Sequence, residues 1–366
     1  MSDSLTTRAG DDLSTFFDEA RAACETSDVF QFSDWRVRFN SNSKALSREI
    51  AEYYRHFRTD DDDVHLDVFG YEGAVPEFGL PFEPNYPEPG KTKIKEHVAS
   101  HDEGQLVLKV QTGVHLAYLG GHRVCAGPLL DNPNQVVNFI NNMYLEYLLG
   151  HGGQLFHAAG VAHGTIGLGL AGQSGKGKST LALRLLELGL DLVSNDRLVV
   201  RAGSGLRMAG IPKYPRINPG TIVNQEALLG LATEEDLARY RAMSRDELWD
   251  LEEKYDAFVE PCFPGCRFRL EAEMAMFVVV AWDRNSTEPF RLTRVEPGEL
   301  GRLVDTIMKS PGILLPNARQ RIPVARAEDY LALLGETRLY TLTGGVDFDG
   351  AARELRDRLI DGDDWN

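Results

Sequence analysis

Basic residues are in short supply in this chain. Lys and Arg number 39 against 55 Asp and Glu, for a formal charge of −16. A nucleic-acid surface works by neutralising phosphates along a basic stripe. No such stripe is visible, so nucleic acid is not an expected partner. Long apolar runs are missing as well. A membrane helix needs about 20 largely apolar residues, and nothing in the sequence approaches that, so no membrane partner is expected. The opening MSDSLTTRAGDDLSTFF has neither the basic start nor the apolar core of a secretory signal. Cysteine is scarce too. Cys24, Cys125, Cys262 and Cys266 are too few to staple 366 residues. Cys262 and Cys266 form a lone C-x3-C without a second pair, which reads as two reduced thiols rather than a zinc site. The expected compartment is the cytoplasm.

What is present is ordinary for a globular chain: 43% apolar and 26% charged residues. The length suits one large domain or two smaller ones. Residues 1–130 read as an N-terminal α+β domain. Trp35, Val37 and Phe39 alternate with Arg36, Arg38 and Asn40 as in a half-buried strand. Ser43 then precedes a helical pattern at Ala45, Leu46, Ile50, Tyr53, Tyr54 and Phe57. A strand is expected at Val64–Phe69. The acidic run Asp60–Asp63 reads as a solvated loop, and the proline-rich stretch Pro76–Pro89 as irregular chain. Gln105–Val110, Val114–Leu119 and Arg123–Ala126 suggest an antiparallel meander.

A second domain, 131–366, is expected to begin with a helix opened by Asn132-Pro133. Two apolar strands follow, Leu155–Ala162 and Thr165–Ala171. They lead into Gly172-Gln173-Ser174-Gly175-Lys176-Gly177-Lys178-Ser179, which matches G-x-x-x-x-G-K-[ST] at every defined position. A helix carrying Leu181, Leu185 and Leu188 comes next. Glycines let successive N–H groups turn inward on phosphate oxygens, and the helix start adds its positive dipole end. Lys178 supplies charge near the terminal phosphates, and the Ser179 hydroxyl is placed for magnesium. The nucleotide contact is expected to run from Gly172 through Thr180, with ATP and Mg2+ as cofactors.

Such a loop indicates a nucleotide, not a reaction. GTPases, transport ATPases and kinases share it. The guanine-reading N-K-x-D and the transporter L-S-G-G-Q are both missing here. After one helix and one turn comes Leu192-Val193-Ser194-Asn195-Asp196, a strand ending in a carboxylate, and then a short strand at Leu198–Arg201. An acidic group thus returns to the loop early.

Three linked pieces then resemble the HPr kinase/phosphorylase superfamily, and within it the HPr kinase-related kinases. They are Phe156-His157-Ala158-Ala159-Gly160-Val161, the loop, and Leu190-Asp191-Leu192-Val193-Ser194-Asn195-Asp196-Arg197. Gly210-Ile211-Pro212-Lys213-Tyr214-Pro215-Arg216-Ile217-Asn218-Pro219-Gly220-Thr221 looks like the "related kinase B" branch. The resemblance implies an α/β fold: a P-loop kinase core of the HPr kinase/phosphoenolpyruvate carboxykinase kind, carrying the N-terminal α+β domain. It implies a kinase transferring the γ-phosphate to a hydroxyl, with Asp196, Lys178 and His157 in catalytic places. Ser179, Asn195 and Asp196 fall at metal positions, and assembly of copies through the kinase domain is implied too. Two departures stand out. HPr kinases carry two consecutive Asp residues where this chain has Asn195-Asp196, and their long glycine-rich downstream signature is missing. Neither HPr as substrate nor the reverse phosphorolysis is therefore implied.

From the residues themselves, Asp196 reads as base or as turn chemistry, and His157 as active-site group or core histidine. Asn195 caps the turn or ligates through water. Lys213 and Arg216, in a proline-punctuated segment, suit an anionic substrate or the transferred phosphate, or are plain surface charges. The acceptor is a protein serine or a small hydroxylated metabolite, and the N-terminal domain is the expected place for its selection. The alternative is a nucleotide-gated binding protein with slow ATP hydrolysis. Glu226–Lys254 reads as one or two amphipathic helices, and Met274–Trp282 as a buried, central strand. Helices at Glu299–Met308, Glu328–Leu334 and Asp349–Ile360, the last capped by Asp349, and a strand at Leu339–Thr343 complete the chain.

Overall fold

The computed structural model describes residues 3–86, 93–101, 104–173, 175–251, 253–311, 325–335 and 337–362. It is a mixed α/β chain that separates into two compact units, parting between Tyr147 and Leu148. The sequence places a boundary near residue 130, before the helix in which the units part.

The first unit opens with helix α1 (Asp3–Ala22), which no pattern in the sequence announces. Strands β1 (Thr26–Phe32) and β2 (Trp35–Ser41) follow as a hairpin. In β2 the alternation holds residue by residue, with Trp35, Val37 and Phe39 buried. Helix α2 (Lys44–Tyr53) is capped by Ser43, whose hydroxyl accepts from the Leu46 N–H, and it buries Leu46 and Ile50. It crosses over to β3 (Leu66–Glu72), which pairs in parallel with β2. Beyond come β4 (Glu83–Pro84), β5 (Glu96–His101), β6 (Gly104–Lys109), β7 (His115–Leu119) and β8 (His122–Gly127). The sheet order is β1-β2-β3-β8-β7-β6-β5-β4, and β6, β7 and β8 form the expected antiparallel meander. One correction concerns the proline-rich stretch. Glu83 and Pro84 pair with Val98 and His97, at the sheet's edge, where a strand tolerates proline's missing donor; residues 87–89 lie outside the described chain. Helix α3 (Pro133–Gly150) starts on its proline as expected.

The second unit is built on a sheet whose strand order surrounds one long strand. Its members are β9 (Gln154–Phe156), β10 (Ala158–His163), β11 (Ile166–Gly172), β12 (Asp191–Ser194), β13 (Leu198–Ala202) and β14 (Leu206–Gly210). β15 (Arg216–Ile217) and β16 (Tyr255–Asp256) form a separate pair. β17 (Glu271–Val280), β18 (Arg291–Arg294) and β19 (Arg338–Thr343) complete the sheet. The order runs β12-β10-β11-β17-β14-β13-β9, and β19 also pairs with β17. β17 therefore lies at the centre; burial alternates from Glu271 to Ala275 and is continuous from Met276 to Val280, where the strand is covered on both faces. Helix α4 (Lys178–Glu187) buries Leu181, Leu185 and Leu186.

Three further corrections follow. The expected single strand Leu155–Ala162 is two strands broken at His157, whose N–H donates to the Ile307 carbonyl at 2.7 Å instead of to a sheet neighbour. The stretch 299–308 is a 3-10 turn, Pro297–Leu303, followed by a short α segment, Val304–Ile307. The last helix, Phe348–Asp361, is capped by Asp347, not Asp349; the Asp347 carboxylate accepts from the Gly350 N–H at 2.9 Å. No described helix is long and apolar enough to cross a membrane.

Candidate functional site

β11 delivers the chain to Gly172, and α4 begins at Lys178. The glycine-rich loop therefore joins a strand end to a helix start. Gly177 adopts φ 82°, a left-handed backbone that costs glycine little. It has a second reason to be glycine, because a Cβ there would lie 2.8 Å from the Phe348 ring. Phe348 packs edge-on against Trp282, with ring centroids 4.9 Å apart. The Trp282 indole N–H donates to the Lys176 carbonyl at 2.7 Å, and the Lys176 ammonium donates back to the Trp282 carbonyl at 3.2 Å. The loop is thus fastened to the chain just beyond β17. Lys176 serves this anchorage, while Gln173 is exposed; Ser174 lies outside the described residues. Thr180 meets Thr221, their hydroxyls 3.2 Å apart, and Ser179 sits half-buried in the first turn of α4.

Lys178 is a buried cation. Its ammonium donates to the Gly172 carbonyl at 2.9 Å and lies 3.4 Å from His157 Nε2. Burial lowers its pKa; Asp196 opposes that shift and Lys309 adds to it. His157 Nε2 is also 3.1 Å from Asp196 Oδ1. With the ring proton on Nε2 the histidine donates to the carboxylate, and Lys178 is then its neighbour, not its hydrogen-bond partner. The strand break at His157 aims the ring at Asp196, which sits just past the end of β12.

The sequence missed one partner of Asp196. Lys309 donates to its Oδ2 in an ion pair, and lies 3.4 Å from its backbone carbonyl. Burial of Asp196 works against ionisation. The hydrogen bond from His157 and the charge and hydrogen bond of Lys309 outweigh it and hold the carboxyl well below the ordinary range. Lys309 is 113 residues away in sequence and stands in no motif. Its sequence neighbourhood, with Asp305 four residues earlier, gives no signal that it pairs with Asp196.

Asn195 Oδ1 is buried and accepts no hydrogen bond from any described residue. That orphaned oxygen, the Ser179 hydroxyl and the Asp196 carboxylate are hard oxygen donors of the type magnesium takes. Among the described residues no group of three or more His, Cys, Asp and Glu could cage a metal. Magnesium does not need such a cage, since it keeps several waters and takes one or two carboxylates together with substrate phosphates. The residues present fit it on those terms.

Lys213 and Arg216 flank a tightly held segment. Tyr214 is buried between Phe258 and Phe268, with ring centroids 4.7 and 5.4 Å away. Arg216 pairs across β15–β16 with Asp256 at 3.3 Å. Burial, then the nearby charges of Arg197 and Arg216, push the Lys213 ammonium down to about 8; Asp256 and Asp196 oppose them. The structure therefore brings His157, Lys178 and Asp196 into contact and sets Lys213 within the electrostatic reach of Asp196. Arg197, part of the recognised motif but given no role from sequence, belongs to the same field.

The chain matches no family model and no curated protein. Among solved structures it is similar to the Hpr(Ser) kinase/phosphatase from Coxiella burnetii. The match covers 57% of this chain and 92% of that one, at 11% identity and a TM-score of 0.29. A score that low marks a partial overlap of elements, and no shared activity follows from it.

Proposed function

We propose that this chain is an ATP-dependent kinase that transfers the γ-phosphoryl group to a hydroxyl. The observation that carries the reading is the meeting of Lys178, His157, Lys309 and the single carboxylate of Asp196 at the mouth of the Gly172–Ser179 loop. The resemblance of the same stretches to HPr kinase-related kinases points the same way. Loop N–H groups and Lys178 take the donor phosphates. Magnesium, when bound, neutralises charge on those phosphates, with Ser179, Asn195 and Asp196 as its protein oxygens. Asp196 receives the acceptor's proton as the hydroxyl oxygen bonds to the γ-phosphorus and the bridging oxygen leaves with ADP.

Held well below the ordinary range by the hydrogen bond from His157 and by Lys309, Asp196 is a weak base. Donor phosphates compete for Lys309 and Lys178, and each cation drawn to them returns basicity to Asp196. Lys309 would then stabilise charge on the transferred group.

The test is incubation of the pure protein with γ-labelled ATP, Mg2+ and a fractionated cell extract, following the label into products. Label in an acceptor supports transfer, whereas free phosphate alone supports the nucleotide-gated alternative. Lys178→Ala should lower transfer by roughly 10²–10³-fold, and wild-type rates in that variant would sink the loop assignment.

A further inference from the structure

We infer that Trp282 is a positioning residue for the phosphate loop: its indole N–H holds the Lys176 carbonyl outward and thereby aims the Gly177 N–H at the donor's phosphates. The inference rests on the nucleotide half of the kinase reading. It gives that half a residue 106 positions away from Lys176 in the chain.

The first ground is the geometry of one peptide unit. The Lys176–Gly177 peptide is trans, so the Lys176 C=O and the Gly177 N–H lie in one plane and point in opposite directions. The indole N–H donates to that carbonyl at 2.7 Å. Holding the carbonyl toward Trp282 therefore turns the N–H away from it. Gly175 and Gly177, on either side of Lys176, take φ 78° and 82°. Left-handed turns of this kind gather a loop's N–H groups on one concave side, where an anion sits. The Lys176 N–H is already engaged by the Gln173 carbonyl at 3.2 Å, whereas no described backbone carbonyl accepts the Gly177 N–H. The indole thus leaves the Gly177 N–H as a donor for phosphate.

The second ground is that Lys176 is held at two points. Its ammonium donates back to the Trp282 carbonyl at 3.2 Å. A single hydrogen bond lets a peptide pivot about it, and a reciprocal pair resists that rotation. A lysine in a phosphate loop could reach a phosphate, but here the ammonium turns to the chain beyond β17.

The third ground is that the holder is itself rigid. Trp282 is 2% exposed. Its neighbours Ala281 and Asp283 donate to the Leu342 and Gly344 carbonyls, each at 2.8 Å, which carries the link to β19 past the end of β17. The Phe348 ring lies edge-on to the indole and also limits Gly177 to a hydrogen. The Arg184 guanidinium of α4 meets Asp349 at 3.4 Å, which ties the loop's helix to the last helix. A donor fixed in advance lowers the ordering cost of binding.

The test follows the Gly177 amide proton by NMR as MgADP is added to the wild-type protein. It should move downfield, as an N–H drawn to a phosphate oxygen does. The Trp282 indole N–H should resist deuterium exchange before and after; among four tryptophans, it is the signal missing from Trp282→Phe. That variant keeps a ring against Phe348 and loses the donor. It should weaken ADP and ATP roughly tenfold and raise the KM for ATP with kcat nearly unchanged, because the contact serves ground and transition states alike. Lys176→Met keeps the indole's bond to the carbonyl and should cost about threefold or less. Three outcomes would overturn the proposal: a Gly177 proton that does not move, an indole released when ADP binds, or a larger loss in Lys176→Met than in Trp282→Phe. The last would make Lys176 itself the phosphate ligand. If the Gly177 proton responds to ADP but no acceptor is ever labelled, the kinase reading fails and the role of Trp282 stands. If the wild type binds neither nucleotide, that reading fails as well, and pyrophosphate titrated against the same proton and variants decides the role of Trp282 by itself.

Discussion

The two units each hold a cluster of acids and bases, and the proportions are inverted. In the first, Arg36 and Arg38 share Asp61, Asp62, Asp63 and Asp67 at 2.6–3.4 Å, two guanidiniums among four carboxylates. In the second, Asp196 is shared by His157 and Lys309, with Lys178 and Arg197 close by. The acid-rich cluster ties a loop to a strand, and its surplus charge is met by water: Asp62 and Asp63 are 85% and 92% exposed. The cation-rich cluster turns inward on a half-exposed carboxylate in a chain that is acidic overall. Pair distances are similar in the two, so distance does not separate a surface clamp from a reactive site. What separates them is which sign is in surplus and whether solvent can satisfy it.

The comparison breaks most sharply at Asp196. Asp196→Asn keeps size and hydrogen bonding but removes the basic oxygen, so transfer should fall by on the order of 10²–10⁴-fold with ATP-Mg2+ binding kept. Loss of Mg2+-dependent nucleotide binding would make Asp196 chiefly a metal residue. No change in either would reduce it to a turn residue, like the aspartates of the acid-rich cluster.

Lys309→Met should lower kcat by about 10²-fold, the usual cost of losing a charged donor to the transferred group, with a smaller effect on the KM for ATP. If kcat holds and only thermal stability drops, Lys309 is a structural partner of the carboxylate.

A pH series sharpens the contrast further. Lys213, at about 8, is charged below that value and loses its proton above it. Sulfate, which does not titrate in this range, should therefore bind several-fold more weakly at pH 9 than at pH 7, with proton uptake on binding near pH 8. A flat sulfate profile would remove Lys213 from anion binding.

The smallest effect belongs to the other cluster. Arg36→Gln and Arg38→Gln should each cost about 1 kcal/mol or less, since exposed ion pairs are screened and weak, and should leave transfer at its wild-type rate. A cost several times larger in denaturant melts would show that the clamp is structural after all.

Legibility followed the range of the interaction. The alternation of Trp35, Val37 and Phe39, the Ser43 cap and the Pro133 helix start are settled by neighbours a few residues away, and they are readable. Helix α1 and the strand break at His157 are not. The break depends on Ile307 accepting the His157 N–H, which no local pattern announces. The sequence offers Asp349 as the cap, yet Asp347 holds the Gly350 N–H; helix ends are poorly specified to within one or two residues.

By itself the sequence determined the glycine-rich loop, the helix that leaves it and the carboxylate tethered shortly after. Those demands are local: Gly177 must be glycine for its backbone, and a short connection confines Asp196 near the loop. Only the tertiary structure decided what Asp196 is. Its state depends on Lys309 from 113 residues away, and the setting of Lys213 depends on Gly210 fitting against Val193 and on Asp256 from the β15–β16 pair. A side chain's charge is written in its residue type. The energy of that charge is set by burial and by neighbours that folding supplies.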